Sequence, residues 1–125
     1  MDILVIDDDQ YNGQMIGHML KDYMVEQALS SEDALSMMGQ VVPELLIVDL
    51  MIPGSMDGLD LIKKIRSDKR WTHIPIISMT ASYDALPRVA EMKALSDAFL
   101  SKPLSPRKLR EIAAKLGLGA VASHK

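Results

Sequence analysis

The chain has 125 residues, 48% of them hydrophobic and 25% charged, with a formal net charge of −3. That length fits one domain with a core of useful size, and the charge balance gives no basic footprint for direct contact with nucleic acid. Cysteine is absent, which excludes disulfides and thiolate metal sites and fits a reducing compartment.

The start, Met1-Asp2-Ile3-Leu4-Val5, lacks the basic residues and longer apolar run of a signal peptide. No apolar run approaches the roughly 20 residues that cross a bilayer. The expectation is a cytoplasmic protein that does not engage a membrane. Ten methionines fall mostly at core-periodic positions and read as core filling.

Ile3-Leu4-Val5-Ile6 is an all-apolar run ending in Asp7-Asp8-Asp9, which predicts a strand over 2–7. Met15, Ile16, Met19, Leu20 and Tyr23 then repeat as one face of a helix. A short strand follows over Val25 to Leu29. Ser30-Ser31-Glu32-Asp33 starts a helix with a hydroxyl cap and an acidic first turn. Ala34, Leu35 and Met38 form its buried stripe, and Gly39 is read as its end. Leu45-Leu46-Ile47-Val48 runs straight into Asp49, the pattern of a strand covered on both faces. Pro53 and Gly54 mark the loop after it. Leu59 or Leu61, with Ile62 and Ile65, lines a third helix. Pro75-Ile76-Ile77-Ser78-Met79 is a fourth strand, ending in Thr80-Ala81-Ser82. Trp71 lies in the link before it. Pro87 suits the first turn of a fourth helix, with Val89, Ala90 and Met92 inward. Ala98-Phe99-Leu100 is a fifth strand ending at Ser101-Lys102-Pro103. Ser105-Pro106 opens the last helix, whose inner face is Leu109, Ile112, Ala113 and Leu116. One domain is expected over 1–117, with 118–125 a C-terminal tail or the start of a linker.

Regular alternation of strand and helix with short links implies a doubly wound parallel sheet with helices on both faces and right-handed crossovers. Ligands in such sheets collect outside the carboxyl ends of the strands. Asp7, Asp8, Asp49, Thr80 and Lys102 all fall at such ends. Crowded carboxylates raise one another's pKa and call for positive charge. Lys102 supplies one charge, and Mg²⁺, which prefers hard oxygen ligands, suits the rest. A metal beside a lysine neutralises phosphate oxygens, a carboxylate can become an aspartyl phosphate, and the Thr80 hydroxyl can donate to a phosphoryl oxygen. Taken singly, each residue has a plainer role: one of Asp7-Asp8-Asp9 as a helix cap, Thr80 or Ser82 as another, Lys102 as a solvated loop lysine. Their coincidence at four strand ends favours a joint site.

These residues resemble the receiver domain of two-component response regulators, over nearly the whole chain. The likeness rests on Asp7-Asp8 after Ile3-Leu4-Val5-Ile6, Asp49 in Leu46-Ile47-Val48-Asp49-Leu50, Pro53 with Met56-Asp57-Gly58, Thr80-Ala81, and Phe99 with Lys102-Pro103. It implies a flavodoxin-like sheet of strand order 2-1-3-4-5 with five helices. It further implies Asp49 as phosphoacceptor, and Asp7, Asp8, Asp49 and the Met51 backbone carbonyl as Mg²⁺ ligands. Thr80, Ala81 and Lys102 would contact the phosphoryl group, and Lys102–Pro103 is the cis-peptide candidate. Thr80 and Phe99 would be the switch pair, read out on the face of the fourth helix, fifth strand and fifth helix. The implied partners are a histidine kinase or histidine phosphotransfer protein upstream and a protein downstream.

Three departures from the family pattern stand out. The loop Ile52-Pro53-Gly54-Ser55-Met56-Asp57-Gly58 has Ile for the usual Met and one extra residue. The fourth helix ends in Ala94-Leu95-Ser96-Asp97 without the frequent glycine, which makes a left-handed cap costlier and an irregular end expected. Phe99 replaces the common Tyr, keeping the ring without its hydroxyl.

The resemblance implies a phosphorylation-dependent switch that catalyses only its own phosphorylation and dephosphorylation. It could also serve as a phosphorelay intermediate or be a receiver from a larger regulator. A contrasting class is the Mg²⁺-dependent aspartyl phosphohydrolase, but such enzymes place an aspartate two residues past the nucleophile, where this chain has Met51.

Overall fold

The structure is a computed structural model that describes residues 1–81 and 86–118. Ser82 and nearly all of the 118–125 tail, both assigned from sequence, lie outside the described residues. Five strands, β1 (Ile3–Ile6), β2 (Val25–Ala28), β3 (Leu45–Asp49), β4 (Ile76–Thr80) and β5 (Ala98–Ser101), form one sheet in the order β2-β1-β3-β4-β5. Every pairing is parallel. The helices are α1 (Gln10–Met19), α2 (Ser31–Gln40), α3 (Gly58–Arg66), α4 (Leu86–Leu95) and α5 (Pro106–Ala113), the last continuing as a π-helical turn over Ala114–Leu118.

Alternation along the strands divides the core into two layers, because successive side chains point to opposite faces. Leu4, Ile6, Leu46, Val48 and Ile76 pack with α2, α3 and α4. Ile3, Val5, Leu45, Ile47, Ile77 and Met79 pack with α1 and α5 through Ile16, Leu20, Leu109 and Ala113. The central strands are buried on both faces, which is why their sequences are continuously apolar. Trp71 is buried in the α2–α4 layer.

Local chemistry sets the helix starts. Ser30 accepts from the Asp33 amide at 3.1 Å, and Ser105 from the Lys108 amide at 3.3 Å with Pro106 in the first turn of α5. Of the three leading aspartates, Asp9 is the α1 cap, accepting from the Tyr11 and Asn12 amides. That leaves Asp7 and Asp8 for other work.

Two details differ from expectation. Helix α2 passes through Gly39 and stops at Gln40, since a glycine in helical conformation costs only about 1 kcal/mol relative to alanine. Ala90 is exposed. Val89 and Met92, three residues apart, define the inner face of α4, and Ala90 is turned about 100° from Val89. The glycine-free end of α4 is closed by side chains. Ser96 Oγ donates to the Met92 carbonyl at 2.6 Å, and Arg66 Nε to the Leu95 carbonyl at 3.0 Å. No residue other than glycine has positive φ among the described residues.

Candidate functional site at the carboxyl edge of the sheet

Parallel pairing fixes what meets at this edge. Asp49 ends β3 beside Met79, and Thr80 ends β4 beside Ser101, so Lys102 is the first residue beyond β5. The Lys102 amide donates to the Thr80 carbonyl at 3.1 Å, which continues the ladder by one residue. On the other side, the Asp7 amide donates to the Ala28 carbonyl at 3.1 Å and extends β1 in the same way.

Asp7 is fully buried, Asp49 and Thr80 are each 4% exposed, and Asp8 is exposed. One oxygen from each of Asp7, Asp8 and Asp49 lies within 4.8 Å of the other two. Lys102 Nζ bridges the buried pair, donating to Asp49 Oδ2 at 2.7 Å and Asp7 Oδ2 at 3.0 Å. The remaining oxygens are also held. Asp49 Oδ1 accepts from the Met51 amide at 3.2 Å, and Asp7 Oδ1 from the Asp9 amide at 2.9 Å. The Lys102–Pro103 peptide bond is cis.

Burial pushes the Asp49 carboxyl above its usual range, and the nearby Asp7 charge adds to this, while Lys102 and the Met51 amide pull the other way. Burial works against the Lys102 charge as well, but the hydrogen bonds that Lys102 donates to Asp49 and Asp7 outweigh it and raise its pKa. The ammonium is therefore permanently charged at neutral pH. Three carboxylates facing one ammonium leave net negative charge. Their oxygens are hard donors, so the cluster fits a divalent cation of the Mg²⁺ type.

The loop after Asp49 explains two residues of the Met56-Asp57-Gly58 motif. A Cβ on Gly58 would overlap the Asp49 carbonyl oxygen, so the backbone of α3 can pass this close only with glycine. Asp57 caps α3 in a reciprocal box with Asp60. It also takes a two-pronged contact from Arg88 at the start of α4, at 2.8 and 2.7 Å. Burial alone would raise the Asp57 pKa, but Arg88 holds it below the usual carboxylate range. The longer loop turns at Gly54, with φ +105°, and is tied to α2 by Ser55 Oγ donating to Glu32 at 2.8 Å.

Ala81 is exposed directly after Thr80, and Met51 is exposed two residues after Asp49. Phe99 is half-buried against the α2–α4 core layer, with Lys93 Nζ 4.8 Å from its ring centroid. Sequence reasoning missed Asn12, whose Nδ2 donates to Asp7 Oδ2 at 2.6 Å, and Gln27, which reaches the β1–α1 loop from β2. Neither carries a signal in sequence, because a neutral amide in a short helix or strand is ordinary until its neighbour is known.

Residues 3–114 match the family model of the response regulator receiver domain. The chain belongs to that family. It is 34% identical over 111 residues to an uncharacterized 14.6 kDa protein of Leptolyngbya boryana, covering 87% of this chain and 84% of that one. It is 33% identical over 109 residues to the transcriptional regulatory protein BaeR of Escherichia coli, covering 86% of this chain and 44% of that protein. The receiver thus spans less than half the length of the transcriptional regulator it matches. The chemotaxis protein CheY4 of Vibrio cholerae superposes with a TM-score of 0.80 at 27% identity, covering 92% of this chain and 97% of CheY4. The receiver fold expected from the sequence, with strand order 2-1-3-4-5, is the one observed.

Proposed function

We propose that this receiver domain, residues 1–117, is a phosphorylation-dependent switch in which Asp49 accepts a phosphoryl group from a histidine kinase or a histidine phosphotransfer protein. The observation carrying this reading is the Lys102 bridge between two buried carboxylates, one of which ends the central strand. A buried ion pair is weak evidence for stability and is expensive to assemble, which favours a chemical use.

In the transfer, an Asp49 carboxylate oxygen attacks phosphorus and the phosphorus–nitrogen bond of phosphohistidine breaks. The imidazole leaves with the bonding pair and an acyl phosphate forms. Asp7, Asp8, Asp49 and the Met51 carbonyl would hold Mg²⁺, which supplies positive charge against the phosphoryl oxygens. Lys102 donates to one of those oxygens once Asp49 is esterified. Thr80 and the backbone at Ala81 lie on the neighbouring strand end, suited to receive another. Motion of Thr80 toward the phosphoryl group leaves space for the Phe99 ring. The α4–β5–α5 face then changes and is read by a downstream protein partner. The domain turns over only its own phosphate, because Met51 offers no acid or base where a phosphohydrolase needs one. Supply from a kinase or a relay places it in the cytoplasm, as a free-standing regulator, a relay intermediate or one domain of a larger protein.

The test is incubation with a small phosphodonor and Mg²⁺, followed by intact mass and hydroxylamine treatment. Wild type should gain one hydroxylamine-labile phosphate, and Asp49→Asn none. Persistence of that phosphate on the Asn variant would sink the assignment.

A further inference from the structure

Asp7 and Asp49 are each fixed through their side chains, by Lys102 and by amide donors. Asp8 is not. Its carboxylate is exposed and makes no hydrogen bond or ion pair among the described residues. Yet it shares the cluster with the other two. Its aim must come from the backbone beneath it.

That backbone is gripped on both sides of Asp8 by one side chain. Gln27 Nε2 donates to the Asp7 carbonyl at 2.8 Å and to the Asp9 carbonyl at 3.0 Å. Both amide hydrogens are used, and two carbonyl acceptors require the nitrogen end of the carboxamide to face the loop. The Cα of Gln27 is in register with Val5, so its side chain reaches forward from β2 over the end of β1. The carboxamide rests where a Cβ at position 13 would be. A side chain there would overlap its carbon and both its heteroatoms. Gly13 is the buried first-turn residue of α1 whose amide donates to the same Asp9 carbonyl, at 3.1 Å. Strand β2, the acidic loop and α1 therefore meet on one carboxamide.

We infer that Gln27 is a positioning residue for the acidic loop: it fixes the peptide units flanking Asp8 and so aims that carboxylate at a divalent cation shared with Asp7 and Asp49. The inference rests on the Mg²⁺-dependent reading above. Groups that orient metal ligands without touching the metal change affinity by about 10–100-fold when removed. Gly13 has the matching role of leaving room for the carboxamide.

Two variants test this by different routes. Gln27→Met keeps the volume and removes both donors. Gly13→Ala keeps Gln27 but displaces its carboxamide, and it improves helix propensity, so it stays folded. Mg²⁺ dissociation constants are measured by calorimetry on the folded proteins, beside Asp8→Ala and a destabilised control, Ile74→Ala, whose buried side chain precedes β4 at the opposite, amino edge of the sheet. Both test variants should bind Mg²⁺ about tenfold more weakly or worse. Phosphate incorporation should recover as Mg²⁺ is raised, and Ile74→Ala should bind normally. Affinity within twofold of wild type in Gln27→Met and Gly13→Ala, with Asp8→Ala impaired, overturns the positioning role alone. Undiminished affinity in Asp8→Ala as well overturns both this inference and the Mg²⁺ site of the proposed function. Equal weakening in Ile74→Ala would reduce the effect to general stability and also overturn it.

Discussion

Lys102→Met is the sharpest probe of the charge balance at the sheet edge. Methionine keeps much of the apolar stem and removes the charge that bridges Asp7 and Asp49. In wild type the lysine side chain is 19% exposed and those of Asp7 and Asp49 are 1% and 6% exposed, so solvent screens the triad weakly. Two carboxylates no more than 4.8 Å apart repel by about 3.5 kcal/mol at an effective dielectric of about 20. Breaking a buried pair from one side typically costs about 3–5 kcal/mol. The two figures describe the same event and agree. For a domain of this size the loss lowers Tm by roughly 10–20 °C. Divalent cation should reverse part of it. Without the ammonium the site repels Mg²⁺ less, so Mg²⁺ should bind the variant more tightly and stabilise it more than it stabilises wild type. At ten times its Kd, bound Mg²⁺ adds about 1.4 kcal/mol to either protein. Thermal unfolding by circular dichroism, in chelator and across a Mg²⁺ series, reads both effects. Wild-type stability of Lys102→Met in chelator would refute the charge balance. So would a stability deficit that Mg²⁺ leaves unchanged.

Gly58→Ala should cost about 3 kcal/mol or more and lower phosphate incorporation, because the added Cβ meets the Asp49 carbonyl and the Leu50 Cα, which are backbone and cannot swing away; urea unfolding and phosphodonor assays check both. Arg88→Met should cost about 1 kcal/mol at neutral pH, a modest figure because Arg88 is 41% exposed and Asp57 28%. The Asp57 pKa is depressed in the fold, so this stability is present above the unfolded value near 3.8 and fades as pH falls through the lower folded value; urea midpoints of wild type and variant should converge in strong acid, and a gap as wide there as at pH 7 would refute the pairing.

Much of the site was legible because parallel strands align their ends. Asp49 and Lys102 are 53 residues apart in sequence, yet each follows an apolar run, and reading the runs as neighbouring strands brings them together. From the residues alone the triple aspartate was legible only as a group, and it was the family resemblance that singled out Asp7 and Asp8. Which member caps α1 depends on the angle at which the chain leaves β1, and Asp9 wins because it sits immediately before the first helical residue. Gln27 and Arg88 were opaque for another reason. Their partners lie 20 and 31 residues away and are chosen by register and helix rotation, not by any local pattern. The outward turn of Ala90 belongs to the same class, since a small apolar residue carries little information about which face it occupies.

The geometry leaves two contiguous connections between Asp49 and α4. One runs along the paired strands, from the end of β3 to the end of β4 at Thr80 and on to β5, where Lys93 of α4 lies 4.8 Å from the Phe99 ring. The other runs through the loop: Gly58 lies against the Asp49 carbonyl, Asp57 precedes it, and Arg88 ties Asp57 to the first turn of α4. Contiguity does not by itself make a coupling, which needs an element with two arrangements of similar free energy. On the switch reading proposed above, that element would be helix α4. Beyond its buried Val89 and Met92, it is held to α3 by Arg88, by the Lys63–Glu91 pair at 2.6 Å, and by Arg66 on the Leu95 carbonyl and Asp97. The Lys63–Glu91 pair is about half exposed, and exposed pairs of this kind are worth at most about 1 kcal/mol each. A phosphoryl group brings about −2 charge and three strong acceptor oxygens to the end of β3. A change of that size can outweigh one or two such contacts, and it cannot outweigh the burial of the central strands. On the switch reading proposed above, the strands would stay fixed and α4 would be the element that a charge on Asp49 displaces.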